Sequence, residues 1–574
     1  MIRRIFLKRT ALAGLSGMLI PLISFPAHLK SGELLYNGIQ LPKVWPPQNM
    51  DPDSYEPMPV PYLHHPPQVI PIDIGRQLFV DDFLIESTSL KREFHKAKKY
   101  EGNPVLKPET SLEKGDDGLP LACPKDGGVW WDPVDKIFKM WYEAGWIGTM
   151  AYATSADGLN WERPNLDIRP GTNQLLPGLL PDSTTVFLDH DALNPGERFK
   201  MFLRGPNFLG DSHGFSLVSA DGIHWSEPVR SGYCGDRSTM FYNPFRKKWV
   251  YSIRSGGPLR SGHGRARYYH EHADFLKGAE WSNDDIVYWT GADRLDPPDP
   301  VIGDKAQLYN LSAVAYESLM LGFHQIHLGP DNNECQKQGI PKITELMLSY
   351  SCDGFHWHRP DREAFIPATR KPGEWERGYV QSVGGICTVV GDQLWFYYSG
   401  LRGDQDNHNP DGMKSGMYAH GSTGIAVLRR DGFASMSAKE NGGTLTTRPV
   451  SFNGKYFFVN IDCPQGELKV EILNENNSVI IPFSADNCKP ISADNTIQSV
   501  SWKNSKDLSA LVGKRVRFRF HLKNGHLYSF WVSPDESGAS YGYVAAGGPG
   551  FNGSKDELGI TAYQKSFPMQ IGGI

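Results

Sequence analysis

Short apolar runs rich in β-branched and aromatic residues, each bounded by turn residues, follow one another through the middle of the chain. Gly128-Val-Trp-Trp131, Ile137-Phe-Lys-Met-Trp-Tyr142 and Met150-Ala-Tyr-Ala-Thr154 read as successive short strands. Directly after them stands Ser155-Ala-Asp157-Gly158-Leu-Asn-Trp161, and the same heptapeptide pattern returns as Ser219-Ala-Asp221-Gly222-Ile-His-Trp225 and Ser351-Cys-Asp353-Gly354-Phe-His-Trp357. The first two copies are 64 residues apart and the last two 132, twice 66, so one copy is missing or degenerate near residue 285. Trp281, in Asp274-Phe-Leu-Lys-Gly-Ala-Glu-Trp281, fits that gap. Asp-Gly supplies positive-φ backbone for a tight turn, and the Trp after it caps the apolar layer between neighbouring sheets.

Four-stranded units repeating at such a period are the mark of a β-propeller. Innermost strands are expected to begin near Asp126, Asp182, Asp236, Tyr309 and Tyr379, about 63 residues apart on average, which gives five blades. Gly391-Asp-Gln-Leu-Trp-Phe-Tyr-Tyr398 and Gly424-Ile-Ala-Val-Leu-Arg-Arg-Asp431-Gly432 form a last unit without the Trp, and Gln77 to Ile85 is expected to close the ring or lead into it. After residue 440 the pattern changes to alternating strands, among them Tyr456-Phe-Phe-Val-Asn-Ile461 and Arg515-Val-Arg-Phe-Arg-Phe-His-Leu522, as in a β-sandwich.

The N-terminus differs from both. Arg3-Arg4-Ile5-Phe6-Leu7-Lys8-Arg9 precedes an uncharged apolar stretch from Thr10 to Ala27, the arrangement of an export signal, and the arginine pair resembles the twin-arginine signal of bacteria. The expected organisation is therefore a signal at 1–28, a Pro-rich leader at 29–75, a five-bladed β-propeller at 76–438 and a C-terminal β-sandwich at 439–574, an all-β chain. It implies a periplasmic or secreted protein with no stable membrane span in the mature chain.

Composition narrows the partners. A net charge of −5 without a long run of either sign excludes the basic face of a nucleic-acid binder. Sixty Gly, 42 Pro, 15 Trp, 24 Tyr and 28 Phe suit short strands, many turns and a surface that stacks on sugars. The seven cysteines include no paired C-x-x-C spacing, so no structural zinc site is expected; no cofactor is called for and a bound cation is left open, and Cys463 and Cys488 read equally as a disulfide or as two buried thiols.

Inner strands of a propeller open at the mouth of a central funnel, where side chains from different blades converge. Asp126, Asp182 and Asp236 occupy that place in three successive blades. With the Ser-x-Asp-Gly-x-x-Trp turns and the sandwich phrase Asp507-Leu-Ser-Ala-Leu-Val-Gly-Lys-Arg-Val, they make the chain resemble the five-bladed propeller glycoside hydrolases, such as families 32, 43 and 117, over most of residues 70 to 535. The resemblance implies Asp126 as nucleophile or base and Asp182 as stabiliser of the transition state or modulator of a neighbour's pKa. Those families place a Glu on the third blade, where this chain has Asp236. The general acid is left open between Asp236, Glu376 of Trp375-Glu376-Arg377, and His324 or His327. Arg237 and Arg254 are candidates for orienting carboxylates or holding an acidic or sulfated sugar, and Tyr309, Trp130 and Trp131 for stacking on a sugar ring, although packing between blades suits the tryptophans equally.

The expected activity is an exo-acting glycosidase on oligosaccharides from plant or algal polysaccharide. A non-catalytic glycan-binding propeller, a sialidase-like hydrolase and a glycoside phosphorylase are the alternatives. The sequence displays neither the arginine cluster nor the Tyr–Glu pair that a sialidase needs, and a phosphorylase requires a cationic pocket beside its acids.

Overall fold

Five antiparallel sheets follow the repeat. The computed structural model describes residues 32–565 apart from 116–117, 206–211, 405–408 and 410–411, so the 1–28 signal lies outside the described residues. Blade one consists of Ala122–Asp132, Ile137–Ala144 and Thr149–Ser155. Ser183–Leu188, Phe199–Arg204, His213–Ser219 and Val229–Tyr233 make blade two, and Thr239–Asn243, Lys248–Arg254, Ala266–His272 and Val287–Gly291 make blade three. Blade four contains Gln307–Glu317, Leu319–Gly329 and Ile343–Ser351. In blade five, Gly378–Gln381 and Thr388–Val390 both pair with Gln393–Leu401, Gly421–Arg429 follows, and Lys98–Lys99, from ahead of blade one, is the outermost strand. A segment preceding the ring thus closes it without a covalent link.

The repeated turn does the same work in each copy. Ser155, Ser219 and Ser351 accept the amides of Gly158, Gly222 and Gly354 at 2.8–2.9 Å, and Asp157, Asp221 and Asp353 accept the next two amides at 2.7–2.9 Å. Only the glycines adopt positive φ, from 74° to 82°; the aspartates act as acceptors for the loop backbone. A neighbouring blade clamps each turn: Tyr397 donates to Gly158 O, Trp141 to Gly222 O and Trp289 to Phe355 O at 2.7–2.8 Å. In the degenerate unit Asp274 caps the short helix Phe275–Ala279 instead, and Trp281 still reaches back to Tyr233 O.

The sandwich is assembled from both sides of the propeller. Its larger sheet runs Asp494–Val500, Tyr456–Asp462, Gly525–Ser533, Ala434–Ala438 and Lys91–Phe94, with Gln77–Leu78 also on Gly525–Ser533. The smaller one runs Glu467–Leu473, Arg517–Lys523, Gly443–Thr447 and Ile85–Thr88. The apolar face between them includes Phe79, Phe457, Phe518, Phe520 and Phe530. Strands between residues 77 and 94, and Ala434–Ala438, therefore pair outside the ring in which the 76–438 limits had put them. Strand character alone does not choose a partner.

Return traffic ties the two parts together. Tyr543–Val544 pairs with Gln307–Glu317, and the backbone of residues 545–547 bonds to Trp131, Ala315, Cys387 and Val389, across the ends of inner strands opposite the acids. The leader joins the sandwich through Ile70–Pro71 on Val450–Ser451, and with blades three and four encloses a cavity of about 990 Å³. All seven cysteines are free: Cys463 Sγ donates to Ile491 O, and Cys488 Sγ accepts from Val470 N. Among the described residues no helix is long and apolar enough to cross a membrane.

Candidate functional site

Asp182 and Asp236 each stand just ahead of an inner strand, Ser183–Leu188 and Thr239–Asn243 respectively, on neighbouring blades. Both lie deep in the funnel and both keep part of their surface open to solvent. Their environments push them apart. Burial, and then the charge of Asp236, raise Asp182 above the usual carboxylate range against the pull of Lys125, Arg237 and Arg204. Burial opposes ionisation of Asp236 as well, but Arg254 at 2.5 Å, aided by Arg265, Lys342 and Arg237, overrides it and holds the group at about 2. Two neighbouring carboxyls whose proton affinities are pushed in opposite directions suit the division of labour between a general acid and a nucleophile or base.

Asp126 takes another role. The first inner strand starts earlier than its counterparts, at Ala122, and carries a bulge between Cys123 and Gly128; Lys125 and Asp126 adopt φ of 47° and 78° within it. The side chain is closed to solvent. Arg237 Nη2 lies 2.5 Å from Oδ2, while Asn310 Nδ2 and Ser382 Oγ donate to Oδ1 at 3.0 and 2.9 Å. Blades one, three, four and five therefore meet on this carboxylate, which ties them together at the funnel. Arg237 also donates to Lys125 O and receives Arg267 Nη1 on its own carbonyl, so it belongs to the same brace.

Around the accessible acids stands a group of cations and rings. Lys125 bonds Glu143 Oε2 at 2.6 Å and lies 3.7 Å over Trp146, which stacks on Tyr418 at 3.9 Å. Tyr309 Oη contacts Tyr379 Oη at 2.7 Å and receives Lys342 Nζ at 3.2 Å, with Arg265 5.3 Å over its ring. Burial and Asp236 oppose ionisation of Tyr309, yet Lys342, Arg265 and Arg237 hold its phenol below the usual range. Four arginines, Arg237, Arg254, Arg265 and Arg267, gather about this part of the funnel, the first and last of them buried. Trp146 and Lys342, not singled out from the sequence, sit outside the inner-strand starts; the only sequence signal for Trp146 is its place just after the strand Ile137–Ala144.

Three expected site residues go elsewhere. Glu376 pairs with Lys99 at 2.8 Å and accepts from Tyr398 at 2.7 Å, on the outer side of blade five, because the ring-closing strand brings its lysine there. His324 is buried with Nδ1 on Ser349 Oγ at 2.9 Å beside Trp357, and burial pushes its pKa well down; His327 is the one whose ring faces Tyr309, at 5.8 Å. Trp130 is fully buried between blades one and two, donating to Val186 O at 2.8 Å and packing on Phe187. Its indole is spent on packing and shows no face to the funnel. Among the described residues no three His, Cys, Asp or Glu side chains are placed to hold a metal ion.

No family model and no curated protein matches the sequence. Among solved structures, the chain is similar to an N-acetylgalactosamine deacetylase from F. plautii in complex with blood group B trisaccharide, at 17% identity and a TM-score of 0.39, covering 58% of this chain and 95% of that one. It is also similar to an exo-β-1,3-galactanase from Phanerochaete chrysosporium, at 8% identity and a TM-score of 0.32 over 77% and 99% of the two chains. An endo-1,4-β-xylanase from Bacteroides thetaiotaomicron is similar at 11% identity and a TM-score of 0.33 over 54% and 90%. The fold is accordingly read from the sheets themselves and the chemistry from the funnel.

Proposed function

We propose that this chain is a glycoside hydrolase in which Asp182 is the general acid and Asp236 the ionised carboxylate that attacks the anomeric carbon or activates water. The observation that carries the reading is the placement of two solvent-reachable carboxyls at the heads of adjacent inner strands, with their pKa values shifted in opposite directions. Asp182 protonates the leaving oxygen while positive charge grows on the sugar ring, and Asp236 faces that charge. Arg254 keeps Asp236 ionised, and Asp126 with Arg237 ties the surrounding blades together at the funnel.

Exo action on plant or algal oligosaccharides, after export directed by the arginine-led N-terminus, completes the proposal; a funnel braced by several blades around an accessible pair of acids suits a chain end. Chromatography of sugars released from a panel of such oligosaccharides tests it. The wild type is expected to release a small sugar and Asp236→Asn to do so ~10³-fold more slowly while keeping its circular dichroism. Equal release by both would remove Asp236 from the chemistry, and binding without release by the wild type would favour the glycan-binding alternative.

A further inference from the structure

The ion pairs of the funnel do not balance. Asp126, Glu143 and Asp236 are each taken by one cation, Arg237, Lys125 and Arg254 respectively. Arg265, Arg267 and Lys342 have no carboxylate within ion-pair distance among the described residues. Arg265 donates to Gln307 Oε1 at 2.7 Å, and Lys342 donates to the Tyr309 hydroxyl. Arg267 is fully buried, donates to Arg237 O, and leaves Nε and Nη2 without a hydrogen-bond partner. Uncompensated cations at such depth are costly to keep, as burial and the neighbouring Arg254 show by drawing Arg267 down to about 9. Recognition of a neutral sugar needs hydroxyl, amide and carboxylate partners and gives no reason for this excess.

We propose that the sugar accepted beside Asp236 carries an anionic substituent, a carboxylate or a sulfate ester, which Arg265 binds alongside the Arg254–Asp236 pair; this rests on the hydrolase reading above. Both arginines are partly open to solvent, and both lie close enough to Asp236 to hold it ionised, so the substituent and the reacting carbon belong to one sugar unit. A guanidinium fork matches two oxygens of either group. Lys342, beneath Tyr309, adds charge to the same side. Arg265 also lines a recess of about 490 Å³ whose other charged residues are Lys305, Asp304 and Asp331, so that recess holds no excess of positive charge and the anion-binding excess is placed on the side of Asp236.

The test uses para-nitrophenyl glycosides in matched pairs, glucoside with glucuronide, galactoside with galacturonide and galactoside with its sulfate ester, in both anomeric forms. The full mature chain is expected to favour one anionic member by ~100-fold or more in kcat/KM, and Arg265→Gln to cut that preference at least ~10-fold. The uronide and sulfate arms tell the two substituents apart. Cleavage of a neutral member as fast as its anionic partner overturns the inference and leaves the hydrolase reading intact. If no glycoside is cleaved, calorimetry with galacturonate, sulfated galactose and galactose decides: tighter binding of an anionic sugar sustains the subsite, and equal or absent binding overturns it. Acceleration of neutral glycoside cleavage by inorganic phosphate would also overturn it, assigning the cations to a phosphate co-substrate.

Discussion

Two clusters of buried charge lie in this molecule, and they are built on opposite principles. At the junction of propeller and sandwich, Arg76 pairs with Asp431 at 3.0 Å, and Arg430 with Glu317 and Asp556 at 3.0 and 2.9 Å. Asp431 accepts further bonds from Tyr316, Ser529 and Asn460, and every charge there is closed to solvent. In the funnel the carboxylates Asp182 and Asp236 remain open on one side, and among the described residues cations outnumber their partners. A sealed network of paired charges fixes how two domains meet; an unbalanced, accessible one holds interactions in reserve for something that arrives from outside.

Breaking the sealed cluster has the largest expected cost to stability. Arg430→Met leaves Glu317 and Asp556 buried without their shared cation and is expected to lower unfolding free energy by about 3–5 kcal/mol in urea titrations, while the folded fraction keeps its activity. Trp130→Phe separates packing from sugar binding at a smaller scale. It removes the bond to Val186 O and part of an interblade contact, for a loss of about 1–2 kcal/mol with KM unchanged, whereas a rise in KM would return Trp130 to the binding surface.

The open cluster responds in the other direction. Because the folded state raises the pKa of Asp182, its contribution to stability is fully present below the unfolded-state value and is lost as pH rises through the folded-state value. Asp182→Asn is therefore expected to raise Tm at pH 7 while impairing catalysis, and the gain should vanish below about pH 4. A loss of stability at pH 7 would place Asp182 with the sealed type of charge.

The fold was legible because its signals are local. Ser-x-Asp-Gly-x-x-Trp turns fix the blades through bonds within seven residues, and the alternation in Arg517–Lys523, which buries Phe518, Phe520 and Leu522, marks the sandwich. Pairings between distant segments were not legible: Lys98–Lys99 closing blade five, or Gln77–Leu78 joining the sandwich, depends on where the chain returns. The site divided along the same line. Asp182 and Asp236 follow from their places before strands, but the bulge that buries Asp126 and the lysine that draws away Glu376 are set by backbone geometry and by a remote strand. Arg265 and Lys342 carry no local signal at all; only the ring brings them to Asp236.

The most direct measurement of the central claim is the dependence of Asp182→Asn and Asp236→Asn on the leaving group. With an unactivated glycoside both variants should lose ~10²–10⁴-fold in kcat/KM; with a dinitrophenyl glycoside, whose leaving group needs no proton, Asp182→Asn should recover most of its rate and Asp236→Asn should not. Recovery by Asp236→Asn instead, or equal losses on both substrates for both variants, would contradict the assignment of acid and carboxylate to these two residues.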